Sequence, residues 1–305
     1  MAFTSAERKE AISAFVFISP FLVWLIVLMA GPIIAAFGLS LFQWDGLFIP
    51  PKFIGLNNYV QMVHDTLFWK ALGNTFYFTV LSVPIGMALS IIVALLMNQK
   101  VKGIGFFRTV FYLPSVMGAS VAVAMLWKWI FDADHGLMNY FISVFTGIPI
   151  KDCPGWLASE IWSKPALIIQ SFWGVGAGMI IYLAGLQGIP ITLYEAADID
   201  GANKWQQFWT VTLPGLSPVI FFQLIIGVVT SFQIFNQVFI MTNGLGGPAN
   251  STLVMVLYIY KKAFDYYQMG YASALACVLF LVIMAVTWVQ FKYSKWVYYE
   301  GELRK

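Results

Sequence analysis

Six stretches of this 305-residue chain carry no charged side chain: residues 11–44, 71–99, 109–127, 165–194, 205–260 and 266–291. Roughly 20 consecutive apolar residues suffice for a helix to cross a bilayer, where every backbone N–H and C=O must be paired internally. Each gap is long enough, or nearly so, for one crossing. Only 10% of the chain is charged, 60% is hydrophobic and mean hydropathy is +0.79. Soluble domains carry roughly a quarter charged residues, and a water-exposed surface cannot be covered with so few. A soluble enzyme, a nucleic-acid binder and a disordered scaffold are therefore excluded. The 17 basic and 14 acidic residues nearly balance, and two cysteines make no disulfide framework.

The expected fold is all-α and polytopic, a single transmembrane domain over residues 1–305. Its six spans lie near 11–42, 71–97, 109–131, 165–187, 214–241 and 270–291. The 56-residue gap counts as one span, because the turn-forming run Thr242-Asn243-Gly244-Leu245-Gly246-Gly247-Pro248-Ala249-Asn250-Ser251 closes it. The first gap is too long for a cleavable signal, and Pro20 and Pro32 within it are tolerated as kinks. Even parity puts both termini on one side. With that side cytoplasmic, Arg8, Lys9, Lys100, Lys102, Arg108, Lys204, Lys292, Lys295, Arg304 and Lys305 lie inside, ten basic residues against seven outside. The inner segment between spans 4 and 5 runs against that bias, with Glu195, Asp198 and Asp200 beside Lys204.

That segment, 192–212, is also the most ordered connector in the sequence. Thr192-x-x-Glu195 has the form of a capping box opening a short helix. Gly201 suits the left-handed position that closes it, and a second short helix and Leu213-Pro214 follow. Ala196, Ala197 and Ala202 offer small side chains for close approach by a partner. Elsewhere, span 5 carries Gln223, Thr230 and Gln237 every seven residues, with Gln233 and Asn236 beside them. Amides both donate to and accept from hydroxyls. Span 4 adds Gln170 and the deep Trp173, next to a Gly174-x-x-x-Gly178 packing pair. Interhelical bonding between amides is the competing reading of these groups. There is no phosphate-binding Gly-x-x-x-x-Gly-Lys-Ser/Thr, no His-Glu-x-x-His and no acid in mid-span. An intramembrane enzyme and an ion-driven carrier acting alone are thus disfavoured, and no metal site is expected.

Glu195-Ala196-Ala197, Gly201 six residues after the glutamate, and Leu213-Pro214 resemble the EAA loop of binding-protein-dependent ABC importers. The chain also resembles the maltose-type sugar permease family along nearly its whole length. The matching stretches are Gly55-Leu56-Asn57-Asn58-Tyr59, Asn74-Thr75, Arg108-Thr109-Val110-Phe111-Tyr112-Leu113-Pro114 and Trp127-Lys128-Trp129-Ile130-Phe131. Asp200-Gly201-Ala202 and Asn243-Gly244-Leu245-Gly246-Gly247-Pro248, with one extra leucine, complete the pattern. The resemblance implies that Glu195, Ala196, Ala197, Asp198, Asp200, Gly201 and Ala202 contact an ATPase. It implies partners: a second, related permease, two cytoplasmic ATPase subunits carrying ATP and Mg, and an extracytoplasmic solute-binding protein. No cofactor is expected on this chain, and the setting is a bacterial or archaeal plasma membrane. Spans 4 and 5 would flank the solute path, with Gln170, Trp173, Thr230, Gln233, Asn236 and Gln237 along it. The expected solute is a carbohydrate. A polyol or glycerol phosphate remains the alternative.

Overall fold

The computed structural model describes residues 5–47, 50–118 and 120–298. Arg304 and Lys305, used above to orient the chain, lie outside the described residues. Five helices are long and apolar enough to span a membrane: Ile12–Leu39, Thr66–Met97, Ser163–Gly188, Lys204–Phe232 and Met269–Lys292. The span expected at 109–131 is instead a sharply bent pair, Ile104–Val116 and Val121–Ile130, so the count is five, or six with the pair as one crossing. The bend has local causes. Pro114 removes a backbone donor, Gly118 is left-handed at φ +56°, and Ser120 caps the next helix by accepting from Val123 N at 3.3 Å. The only β structure among the described residues is a two-residue ladder pairing Phe42–Gln43 with Lys52–Phe53.

In the first helix, a π turn over Leu25–Ala30 precedes Pro32. A widened turn gives the proline ring room against the carbonyl four residues back, so the helix continues. The second spanning helix begins at Thr66, earlier than expected, and takes in Lys70. Lys70 Nζ donates to Ala249 O at 2.6 Å, so its charge ends on a carbonyl of the 242–253 loop. Asn74 Nδ2 donates to Asn250 O at 3.0 Å and Leu253 O at 2.9 Å, and Met255 N donates to Thr75 Oγ1 at 2.9 Å. The Asn74-Thr75 pair thus holds that loop in place.

The chain forms two compact units, Met1–Asp65 with Ile259–Phe280, and Thr66–Tyr258 with Leu281–Lys305. In the first, buried Asn58 donates to Ser40 O at 2.8 Å and Phe42 O at 3.0 Å, and Tyr271 OH donates to Asp65 at 2.7 Å. Lys262 lies 5.3 Å from the ring centres of Tyr266 and Tyr271, a cation–π arrangement. In the second unit, Ala94, Met97, Met179, Tyr182, Leu183, Leu186 and Leu216 form the apolar core. Lipid gives no hydrophobic drive between helices, so close packing through small residues carries the association. A Cβ on Gly176 would collide with the Phe111 backbone carbonyl, and one on Gly178 would lie 2.6 Å from Ser90 Oγ. Gly174 meets nothing within 4 Å. The packing glycines are therefore 176 and 178 rather than the expected 174 and 178. The 3₁₀ turn Phe172–Gly174 shifts the helical phase and takes Gly174 off the contact face.

Candidate functional site

The ordered connector folds as a knuckle. Its helix runs Ile191–Ile199 with Pro190 at the N-cap and no side-chain cap bond. Thr192 therefore lies inside the first turn, and the capping box expected from Thr192 and Glu195 does not form. The proline at 190 sets the start one residue before Thr192. The end matches expectation. Gly201 has φ +74°, Ala202 N donates to Ala197 O at 2.9 Å and Gly201 N to Asp198 O at 3.1 Å, a complete Schellman closure. The capping box of this region opens the next helix. Asn203 Oδ1 accepts from Gln206 N at 2.9 Å, and Gln206 Oε1 accepts from Asn203 N at 2.8 Å. From Lys204 the chain runs through a π turn, Phe208–Thr212, directly into the spanning helix, so the second short helix is the base of span 5.

Glu195, Ala196, Asp200 and Gly201 are exposed, and Ala197 and Ala202 are half-buried. Asp198 is exposed yet tied down: Gln207 Nε2 donates to its carboxylate and to Ala202 O at 3.0 Å. Lys204 Nζ donates to Gln207 Oε1 at 3.0 Å and lies 3.7 Å from Asp198. Tyr194 OH and Thr212 Oγ1 are 3.0 Å apart. Buried Gln207, which the sequence reading overlooked, is thus the bolt between the knuckle helix and span 5. Its signal in the sequence is slight, an amide facing inward at the foot of an apolar helix. We expect Gln207→Leu to weaken that junction by about 1–3 kcal/mol. Faster amide hydrogen exchange over 191–203 would register it, and unchanged exchange would mean that the bolt carries no load.

The second feature is an open cavity of about 560 Å³ in the larger unit. All six residues expected along a solute path line it: Gln170, Trp173, Thr230, Gln233, Asn236 and Gln237. The reason differs from the expected one. Helix Lys204–Phe232 ends before Gln233, and a new helix starts at Asn236, with Phe235 at φ −141° between them. Gln223, Thr230 and Gln237 therefore do not form one continuous helical stripe. The break turns Gln233, Asn236 and Gln237 onto the cavity wall that Thr230 already faces. Non-helical backbone at such depth persists where it borders a cavity, as the lining residues Gly118 and Phe235 also do.

Four polar groups of this lining stand out. Ser82 Oγ, Gln170 Oε1, Trp173 Nε1 and Tyr182 OH are buried with no hydrogen-bond partner among the described residues. Gln170 is only 3% exposed. Leaving such groups unpaired costs about 1–3 kcal/mol each, so each calls for a partner, an ordered water or a ligand, and all four belong to residues that line this cavity. Ser82 and Tyr182 were not foreseen, because hydroxyls are common in apolar spans and others there, such as Thr75 and Thr79, find partners within the protein. Phe78, Phe172 and Phe235 supply flat apolar surface alongside. Elsewhere, Asp132, Asp134 and His135 are close enough to share a metal, but all are exposed. Asp132 Oδ1 already accepts from Asp134 N at 3.1 Å and His135 N at 2.9 Å, and these bonds account for the cluster as a turn.

Residues 86–297 match the family described as binding-protein-dependent transport system inner membrane component. The chain belongs to that family. This permease is 40% identical over 297 residues to the probable ABC transporter permease protein YesP of Bacillus subtilis, covering 97% of this chain and 94% of that one. It is 37% identical over 292 residues to the lactose transport system permease protein LacF of Rhizobium radiobacter, covering 94% and 96%. Its fold matches a chain of a bacterial ABC transporter involved in the import of the acidic polysaccharide alginate, with TM-score 0.80, 24% identity and coverage of 94% and 96%. The permease is thus a multi-pass inner-membrane component of an ABC transport system, and its part in transport is non-catalytic.

Proposed function

We propose that this permease forms half of the membrane path of a carbohydrate importer, with the cavity of Gln170, Trp173 and Asn236 as its sugar-contact site. The observation that carries the reading is an open cavity lined by amide, hydroxyl and indole groups beside aromatic rings. Sugars present hydroxyls that donate and accept, together with apolar ring faces, and amide, indole and phenyl groups meet both. Relatives named for lactose and for trehalose and maltose transport support the same class of solute. The 191–212 knuckle is read as the coupling element. Glu195, Ala196, Ala197, Asp198, Asp200, Gly201 and Ala202 face a cytoplasmic ATPase, one of two that bind ATP and Mg. Ile199, an apolar residue 86% exposed at the knuckle's tip, suits insertion into a cleft of that partner.

A second permease, a related but different chain, would complete the path, and an extracytoplasmic solute-binding protein would deliver the sugar. Both termini of this chain would then be cytoplasmic. ATP binding closes the ATPase pair, and the knuckle, bolted to span 5 by Gln207, moves as a rigid lever that shifts the helices around the cavity. The coupling free energy is the difference between contacts made in the two states.

The test is uptake of lactose, maltose and trehalose by the complete importer in proteoliposomes. Gln170→Ala and Asn236→Ala each remove at least one hydrogen bond, about 1 kcal/mol, and should raise the half-saturating sugar concentration about fivefold. Unaltered kinetics in both variants would remove this cavity from the path.

A further inference from the structure

The lining of the cavity has one property that the sugar reading does not require. Among the described residues that border it, none is Asp, Glu, Lys, Arg or His. Its polar groups are amides, hydroxyls and an indole. The long side chains Gln170, Gln223, Gln233 and Gln237 of the lining are all neutral amides. We propose that this cavity is selective for electroneutral saccharides and excludes uronates and sugar phosphates. The proposal rests on the sugar reading of the same cavity and narrows it.

The walls are helices whose outer faces are apolar, and Phe78, Phe172 and Phe235 line the space itself. A carboxylate entering it leaves water for a medium of low polarity. Amide and hydroxyl dipoles return only part of the lost hydration, and an ion that finds no counter-charge is strongly disfavoured. A neutral hydroxyl loses far less and recovers it from the same groups. The polar lining fits that division: the amides of Gln223, Gln233, Asn236 and Gln237 both donate and accept, and the hydroxyls of Thr230 and Ser231 do either. Such a mixture matches hydroxyls, which are both donor and acceptor. A site built for an anion would present donors and positive charge.

The experiment uses the complete importer in lipid nanodiscs without the solute-binding protein, so that the receptor's own preference does not enter. Binding is measured by calorimetry for three sets of probes. They are lactose, maltose and trehalose; the same disaccharides oxidised at C6 to uronates; and the methyl esters of those uronates. The expected result is that any disaccharide bound in neutral form binds about tenfold or more weakly as its uronate, and that esterification restores affinity to within about threefold. The ester adds bulk while removing charge, so recovery assigns the loss to charge. In Gln170→Lys the preference should invert, with the uronate gaining about tenfold over the neutral sugar. If that variant does not assemble, the ester comparison in the unaltered importer still decides. Equal affinity for a disaccharide and its uronate would overturn the charge rule and leave the sugar reading intact. Loss of affinity in both uronate and ester would overturn it in favour of size. Failure of every probe to bind would overturn the sugar reading, and this inference with it.

Discussion

Gly201→Asp is expected to lower solute-stimulated ATP hydrolysis and uptake about tenfold or more, in an importer that still assembles. Two observations separate the folding cost from the functional one. The backbone at Gly201 is left-handed, at φ +74°, and a Cβ there would meet nothing within 4 Å. An L-residue at such a position costs about 1 kcal/mol, and aspartate is among those that tolerate it best. The Schellman closure does not need the glycine hydrogen atoms, so the knuckle should persist. The larger loss must therefore come from outside the chain, where an added carboxylate and extra bulk meet the surface that the knuckle docks against. Uptake of labelled sugar and ATPase rate, measured with size-exclusion profiles of the complex, give the answer. Normal stimulated hydrolysis with normal uptake would show that nothing reads this corner of the knuckle.

Gly176→Val is expected to do the opposite, removing the assembled complex itself. Its Cβ would lie 2.9 Å from Phe111 C and 3.0 Å from Tyr112 Cα, and closer still to the Phe111 oxygen. All three are backbone atoms, so no side-chain rotation relieves the clash, and the two helices must separate. Overpacking of this kind costs about 3 kcal/mol or more, a large share of a protein's net stability. Gly174→Ala, two residues earlier on the same span, meets no neighbour and should stay within about 0.5 kcal/mol of the parent. Thermal unfolding of the detergent-solubilised complex compares the two. Equal effects would mean that the contact between Ile104–Val116 and Val175–Gly188 is misplaced.

These glycines illustrate where the sequence could be read and where it could not. The spans were legible because charge is so costly in lipid that its absence marks them out, and a long apolar helix covers most of five of the six. Gly201 was legible because a helix stop is a local property of turn chemistry. The packing pair was not. Gly174 and Gly178 have the right spacing for a regular α-helix, but a 3₁₀ turn at Phe172–Gly174 intervenes, and spacing rules assume a constant pitch. The capping box was misplaced for a similar reason. Thr192-x-x-Glu195 and Asn203-x-x-Gln206 are both plausible by pattern, and Pro190 decides between them by starting the first helix early.

The residue types at the cavity were legible one by one, because amides and a tryptophan within apolar spans are conspicuous. Their assembly was not. Gln233, Asn236 and Gln237 reach the wall occupied by Gln170 and Thr230 only because span 5 breaks after Phe232, and the sequence there reads as uninterrupted helix. Ser82 and Tyr182 become noticeable only once burial leaves their oxygens unpaired.

By itself, then, the sequence determined that this chain spans a membrane on helices and carries a glycine-closed knuckle. Both follow from interactions between near neighbours: backbone pairing in lipid and the dihedral freedom of one residue. Only the tertiary structure decided which polar groups share a cavity, which glycines bear the packing and that Gln207 bolts the knuckle to its helix. Those depend on distances between residues far apart in the chain, which the pitch irregularities at 172–174, 208–212 and 233–235 set.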